Sequence, residues 1–480
     1  MSDSREGFGV IIERERGLHR NLSARRMSMI AIGGAIGTGL FLGSGFAISL
    51  AGPAVLVSYL IGALITLLLM GSLVEMTVAH PTSGSFGAYA EYYIGPLAGF
   101  LVRYAYLTGN LLAVGAEVTA VGLYMHFWFP ALPGWASIVT FSTLLVLVNA
   151  RSVNVFGAIE YWLSTIKVTA IVIFIVLAGY IVLRGSSARA FHSAATVGSA
   201  VGFHNLVAYG GFFPQGLWGA WVAVIVAVFS YFSVEMIAVA AGEAAEPEFA
   251  ARRAFRSTVL RLILFYLLTL TLVLAIVPWT LAGVDESPFV KVMRALHVPG
   301  AAGVFNFVIL VAALSAMNSQ LYITTRMMFS LSRAEYAPPS LGAVNRRGVP
   351  LRALLLSTLG IACATVLSVL WPRSAFILML AISSFGTLFT WMMIFVTHYF
   401  FRRAHARAGA APLRFRMPGF PFTTLLGAGL MAAVLATTAF TAEFRLTLVF
   451  GLPFLALLSA LYGMRYRRVA LREGSSSPSA

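Results

Sequence analysis

"AIGGAIGTGLFLGSGF", residues 31–46, places six glycines among sixteen positions and carries no charge. The stretch is apolar enough for a bilayer, where a helix best hides the backbone polar groups. Yet each glycine in a helix interior costs about 0.8–1.0 kcal/mol relative to alanine. Two physical readings resolve the conflict. Gly33/Gly37 and Gly39/Gly43 have the small-xxx-small spacing with which membrane helices pack closely. Alternatively, the glycines let the backbone unwind and let a ligand approach it. A dinucleotide fingerprint is excluded, because no strand precedes Gly37-Thr38-Gly39 and the third glycine falls one residue late.

The surrounding chain sets the context. Its 480 residues are 59% hydrophobic and 10% charged, against roughly 25% charged in soluble proteins. Apolar runs long enough for a core of about 30 Å predict an all-α polytopic membrane protein with twelve spans. They lie near 27–49, 53–78, 98–126, 134–150, 161–183, 219–241, 258–281, 303–331, 351–371, 375–400, 423–442 and 446–463. The net charge is +16. Most Lys and Arg fall on one side of these spans, leaving Arg184, Arg189, Lys291, Arg294, Arg373 and Arg445 on the other and Lys167 within a span. That asymmetry places both termini in the cytoplasm. The basic balance is therefore read as topology, with no nucleic-acid partner. Residues 1–26 are polar and Arg-rich with no cleavable-signal pattern, so the expected location is a bacterial cytoplasmic membrane. Cys363 falls inside a span and predicts no disulfide framework. "EGSSSPSA" (473–480) reads as a disordered tail.

If residues 31–46 mark a broken helix, an inverted repeat puts a second break five spans later. Span six, "VAVFSYFSVEMIAVAAGEAAEPE" from Val226, has Ser230, Ser233 and Glu235 in its interior and Gly242 and Pro247 after it. Facing breaks solve a substrate problem. A zwitterionic amino acid brings two charges into low dielectric, where unpaired charge is very costly. A half-helix N-terminus offers N–H groups and positive dipole to a carboxylate, and unwound carbonyls accept from an ammonium.

Six ordered motifs then become specific. "SMIAIGGAIGTGLFLGSG" (28–45), "EMTVAHPTSGSFGAYAEYYIGPLAGF" (75–100), "NVFGAIEYWLSTIKV" (154–168), "EMIAVAAGEAAEP" (235–247), "NSQLYITTRMMFSLSRAEYAP" (318–338) and "FRMPGFP" (415–421) resemble the bacterial amino acid permeases of the amino acid–polyamine–organocation superfamily. The resemblance runs from about Leu22 to Tyr462. It implies a five-plus-five inverted-repeat, LeuT-like fold over 27–400 with spans one and six discontinuous. A loop at 401–422, two further spans over 423–463 and a tail at 464–480 complete it. It also implies substrate-binding roles. Gly37, Thr38 and Gly39 would donate to the substrate carboxylate, the carbonyls of Ala35 and Phe232 would accept from the amine, and Ile36 lies in the same unwound segment. Phe229 matches an aromatic gate. Many relatives have glycine at the position of Ser233, which here narrows the pocket or adds a hydroxyl.

Among the cations only Lys167 and Lys291 are lysine. Arginine keeps its proton, whereas a desolvated lysine releases it readily, so Lys167 suits proton coupling. The resemblance adds that it would replace the sodium ion some members of this fold bind between spans one and eight. Six residues into its span, about 9 Å of rise, it is also within snorkelling reach of the interface. Glu117 and Glu235 sit in apolar runs, where each needs a partner, water or a proton. Glu235 is expected to accept from span-one groups, with proton transfer as its second role. Glu117 is either a structural tie or a pathway group, and Glu75 is expected to brace the inner loop. Asn318 and Ser319 in span eight, and Ser383 and Ser384 in span ten, are further pocket candidates. No metal, cofactor or catalytic constellation is read.

The reading that follows is a proton-coupled importer of a neutral amino acid working by alternating access. Its partners are the amino acid, protons and the bilayer. The alternatives are an amino acid exchanger and a non-transporting sensor.

Overall fold

The computed structural model describes residues 3–14, 29, 34–151, 153–184, 201–241, 247–281, 283, 285–295, 299–346, 348–409 and 412–474. Residues 31–33 of the opening stretch, 242–246 after span six and the final residues of the expected tail lie outside them. Among the described residues there is no strand. Among the described residues, eight helices are long and apolar enough to cross a membrane, and three shorter apolar helices accompany them at Gly134–Asn149, Gly216–Ser230 and Ile263–Ile276.

A short helix, α1 (Asp3–Arg14), precedes the apolar part of the chain. A π-helix at Gly39–Gly43 leads into α2 (Ser44–Ala51). The chain then bends at Gly52, whose φ of +61° lies in the region that favours glycine, and continues as α3 (Val55–Ala79). Next come α4 (Ser85–Tyr93), α5 (Pro96–His126), α6 (Gly134–Asn149) and α7 (Val153–Arg184). The second interrupted element is α8 (Gly216–Ser230) and α9 (Met236–Ala241), followed by α10 (Pro247–Ile276), α11 (Pro288–Ala295) and α12 (Ala301–Arg333). Then follow α13 (Leu351–Ser357), α14 (Leu359–Leu370), α15 (Ala375–Arg407), α16 (Phe422–Thr437) and α17 (Arg445–Gly474).

Burial sorts these helices into a centre and a rim. The apolar windows of Gly39–Ala79, Pro96–His126, Ala301–Arg333 and Ala375–Arg407 are 67–72% buried, whereas those of α7, of α13 and α14 together, and of α16 and α17 are 17–33% buried. Helices that stay apolar while exposed suit lipid on their outer faces. In the centre, α5 packs most extensively on α15 and α12, and α8 packs on both α2 and α3. The two interrupted elements are thereby pressed together at the core.

The loop after α15 is tucked into the bundle as well. Glu75, fully buried, accepts from Arg402 Nη1 at 2.7 Å and from the Met417 backbone N–H at 2.7 Å. It braces this loop, as expected.

Composition alone did not reveal that α1 docks. Phe8 is 1% exposed and stacks on His80 at 4.3 Å, with Tyr92 edge-on at 5.2 Å. Both terminal nitrogens of Arg14 donate to Glu91, each at 2.9 Å, and Arg103 Nη1 donates to Glu91 Oε2 at 2.6 Å. Burial alone would raise the Glu91 pKa. The hydrogen bond from Arg14 and the charges of Arg103 and Arg14 outweigh it and hold the carboxyl below the ordinary range. A depressed carboxylate stabilises above its unfolded pKa, and that contribution fades as pH falls through the lower folded value. The contact is therefore complete at neutral pH and lost only in acid. Glu91→Gln should speed tryptic cleavage at Arg14 about tenfold or more, the scale of losing charged hydrogen bonds. An unchanged rate would mean that Glu91 does not hold α1.

Candidate functional site

Both expected interruptions are present at the core. Gly34 and Ala35 are helical, Ile36 and Gly37 leave the helix, and helical winding resumes at Thr38 and runs on as the π-helix. The Gly37 N–H turns back to the Ala35 carbonyl at 3.2 Å. In the second element, residues 231–235 form turns between α8 and α9. Ser233 has φ +74°, a left-handed conformation uncommon for a residue other than glycine.

The glycines make close approach possible. A Cβ on Gly39 would lie 2.8 Å from Ser230 Cα, and one on Gly37 would lie 2.7 Å from both Ala316 Cβ and Glu117 Oε1. Neither position has room for a side chain.

The polar groups opened by the first break are engaged by three side chains from other helices. The Thr38 N–H donates to Glu117 Oε2 at 3.2 Å. Lys167 Nζ donates to the Ile36 carbonyl at 2.9 Å and is fully buried, so it does not snorkel. The Tyr266 hydroxyl lies 2.8 Å from the Ala35 carbonyl and 2.8 Å from the Ser230 carbonyl. Tyr266 thus ties the two breaks together. Tyr266→Phe should lower thermal stability by about 1–3 kcal/mol, the cost of leaving buried acceptors without that donor. An unchanged melting temperature would assign the tie to other contacts.

Glu235 corrects the expectation made for it. Its carboxylate accepts from Tyr106 Oη at 2.7 Å and from Trp391 Nε1 at 3.1 Å, on α5 and α15, rather than from span-one groups. The turns over 231–235 leave the carboxylate against α5 and α15. It anchors the second break to the central helices.

A further buried acidic residue, Glu160, is one that the sequence reading does not single out. Glu160 is fully buried and accepts from Asn318 Nδ2 at 2.9 Å, Ser164 Oγ at 3.1 Å and Ser315 Oγ. Asn318 in turn accepts from Asn149 Nδ2 at 2.7 Å, and Ser164 Oγ reaches the Met29 carbonyl at 3.1 Å. Glu160 and Glu117 both act electrostatically on Lys167. The available signal was an ionisable residue two helical turns before Lys167, on the same face.

A small cavity separates the breaks. Gly34, Ala35, Gly37 and Gly39 line it from the first and Phe229, Phe232 and Ser233 from the second. Glu117 and Gln320 complete its wall. Its volume of about 10 Å³ is near the least that holds one water. The Phe229 and Phe232 rings lie 5.3 Å apart, and Phe232 meets Trp391 edge-on at 5.4 Å. Span eight contributes Gln320, whereas Asn318 is drawn off to Glu160. Ser383 and Ser384 donate to the Leu380 carbonyl of their own helix and do not line the cavity.

A family model described as amino acid permease matches residues 26–463. The chain belongs to the amino acid permease family. This permease is 36% identical over 452 residues to the uncharacterized amino acid permease YtnA of Bacillus subtilis (strain 168), covering 94% of this chain and 96% of that one. It is 37% identical to the amino-acid permease RocC of the same organism, covering 94% and 95%. It is also 37% identical to the aromatic amino acid transport protein AroP of Escherichia coli (strain K12), covering 88% and 90%. Among solved structures, its fold is similar to that of the Eremococcus coleocola manganese transporter, with a TM-score of 0.54, 14% identity and 94% of each chain covered. The permease is a multi-pass membrane protein of a transporter family.

Proposed function

We propose that this permease is a secondary active transporter that imports a neutral amino acid with a proton by alternating access. In this reading it has twelve spans, the first ten in a five-plus-five inverted repeat, and both termini are cytoplasmic. The observation that carries the reading is the buried Lys167 ammonium bonded to the Ile36 carbonyl at the break of the first span. A group able to change protonation is thereby attached to the backbone that must move.

The residues suggest an order of events. Glu117 rests on the Thr38 N–H that a substrate carboxylate requires. A proton taken by Glu117 removes its charge and frees that donor for the substrate. The ammonium of the substrate would be met by the Phe232 carbonyl, and by the Ala35 carbonyl once it gives up one of its two present donors, the Gly37 N–H or the Tyr266 hydroxyl. Phe229 and Phe232 must move outward to admit it, because the cavity is far smaller than an amino acid. Loss of the Lys167 proton would weaken its hold on Ile36 and release the inner half of the first span. Glu235, held by Tyr106 and Trp391, is the third ionisable group at the breaks and keeps the second span in place while the first rocks.

A thermal-shift screen of the twenty amino acids on purified protein tests the reading. Neutral amino acids should raise the melting temperature in a concentration-dependent way, because a ligand that binds only the folded state stabilises it. No shift with any of them would count against an amino acid site.

A further inference from the structure

The cavity wall carries a polar group that the transport cycle leaves unused. Gln320 is 4% exposed and lines the cavity, and its Oε1 has no hydrogen-bond partner among the described residues. Burying an amide acceptor without a donor is unfavourable, and a ligand that supplies the donor recovers the loss.

Its place in the fold says which part of a ligand it meets. Ala316 faces Gly37 beside Glu117. Gln320 lies four residues farther along α12, about 6 Å of rise, toward the end where Ser330 bonds Arg103. It therefore sits about one turn from the backbone N–H groups suited to a carboxylate. Ser233 belongs to the same end, since a Cβ on Gly34 would lie 2.8 Å from Ser233 Cβ. Ser233 also holds a backbone conformation, φ +74°, that glycine adopts without strain. A serine there keeps a hydroxyl on the wall and takes up space that glycine would leave open.

We infer that Gln320 and Ser233 form the side-chain subsite of this cavity, and that the substrate is a neutral amino acid with a short hydroxyl or carboxamide side chain. The inference rests on the transport reading and specifies its substrate. A hydroxyl donates to Gln320 Oε1. A carboxamide complements the Gln320 amide with both a donor and an acceptor. An apolar side chain leaves Gln320 unpaired. A cationic one finds its nearest lining carboxylate, Glu117, at the other end and already engaged by Thr38.

Counterflow in proteoliposomes, with labelled serine and labelled alanine each competed by the twenty amino acids, tests this. Serine, threonine, asparagine and glutamine should compete at the lowest concentrations. Gln320→Leu should raise the concentrations they require about tenfold or more and leave alanine and valine unchanged or improved. Gln320→Asn should restore part of the preference. Should Gln320→Leu fail to fold, Gln320→Met carries the same comparison. Preference for apolar, aromatic or cationic amino acids in the wild type overturns the inference. So does an equal loss for every competitor, which would place Gln320 on the shared ammonium or in the fold. Absence of counterflow with any amino acid overturns the transport reading itself.

Discussion

Replacing Lys167 with alanine or arginine should abolish amino acid accumulation driven by a proton gradient, so that internal substrate rises only to the outside concentration, while exchange of internal for external substrate remains measurable. The two variants separate charge from proton release. Arginine keeps a cation beside Ile36 but does not give up its proton, so a purely structural ammonium would be at least partly replaced by it. Alanine removes the cation and leaves Glu160 and Glu117 without the charge that acts on them. Breaking a buried pair costs about 3–5 kcal/mol, so the melting temperature of Lys167→Ala should be measured beside its uptake. Accumulation by the arginine variant at the wild-type level would remove Lys167 from the coupling mechanism.

Gly39→Val should weaken amino acid binding at least about tenfold, whereas Thr38→Val should change it little. The added Cβ would stand 2.8 Å from Ser230 Cα and 3.3 Å from Phe229 Cδ1. The two interrupted spans must then part, at an overpacking cost of about 1–3 kcal/mol. Valine at position 38 keeps the shape of threonine and the backbone N–H that meets Glu117. Binding titrations on both variants distinguish a backbone site from a packing seam. Equal, small effects would mean that these glycines serve helix packing alone.

Long apolar runs make the helices legible. The span expected at 98–126 is Pro96–His126, and that expected at 303–331 lies within Ala301–Arg333. Glycine density at the first break fits close packing as well as unwinding, and the motif resemblance is what favours unwinding. Repeat logic points to the second break, although no glycine marks its centre and Ser233 takes the left-handed turn instead. Side-chain partners were less legible. Tyr266 gave no sign of bridging both breaks, because a tyrosine in an apolar run looks the same whether its hydroxyl meets a carbonyl or the membrane interface. Sequence position puts Glu235 at the second break but does not give its partners, Tyr106 and Trp391, since the direction of a side chain after a turn depends on the backbone angles there. Gln320 and Asn318, two residues apart on α12, meet different neighbours. Helical rotation of about 100° per residue decides that, and sequence alone does not say which face points inward. The docking of α1 depends on Phe8 and Arg14 finding partners far along the chain.

The most direct test of the account is uptake of labelled serine by wild-type protein in proteoliposomes, acid outside and with no other gradient imposed. Accumulation above the outside concentration, collapsing when a protonophore is added, is the expected result. Uptake that never exceeds the outside concentration, or that is indifferent to the protonophore, would contradict it.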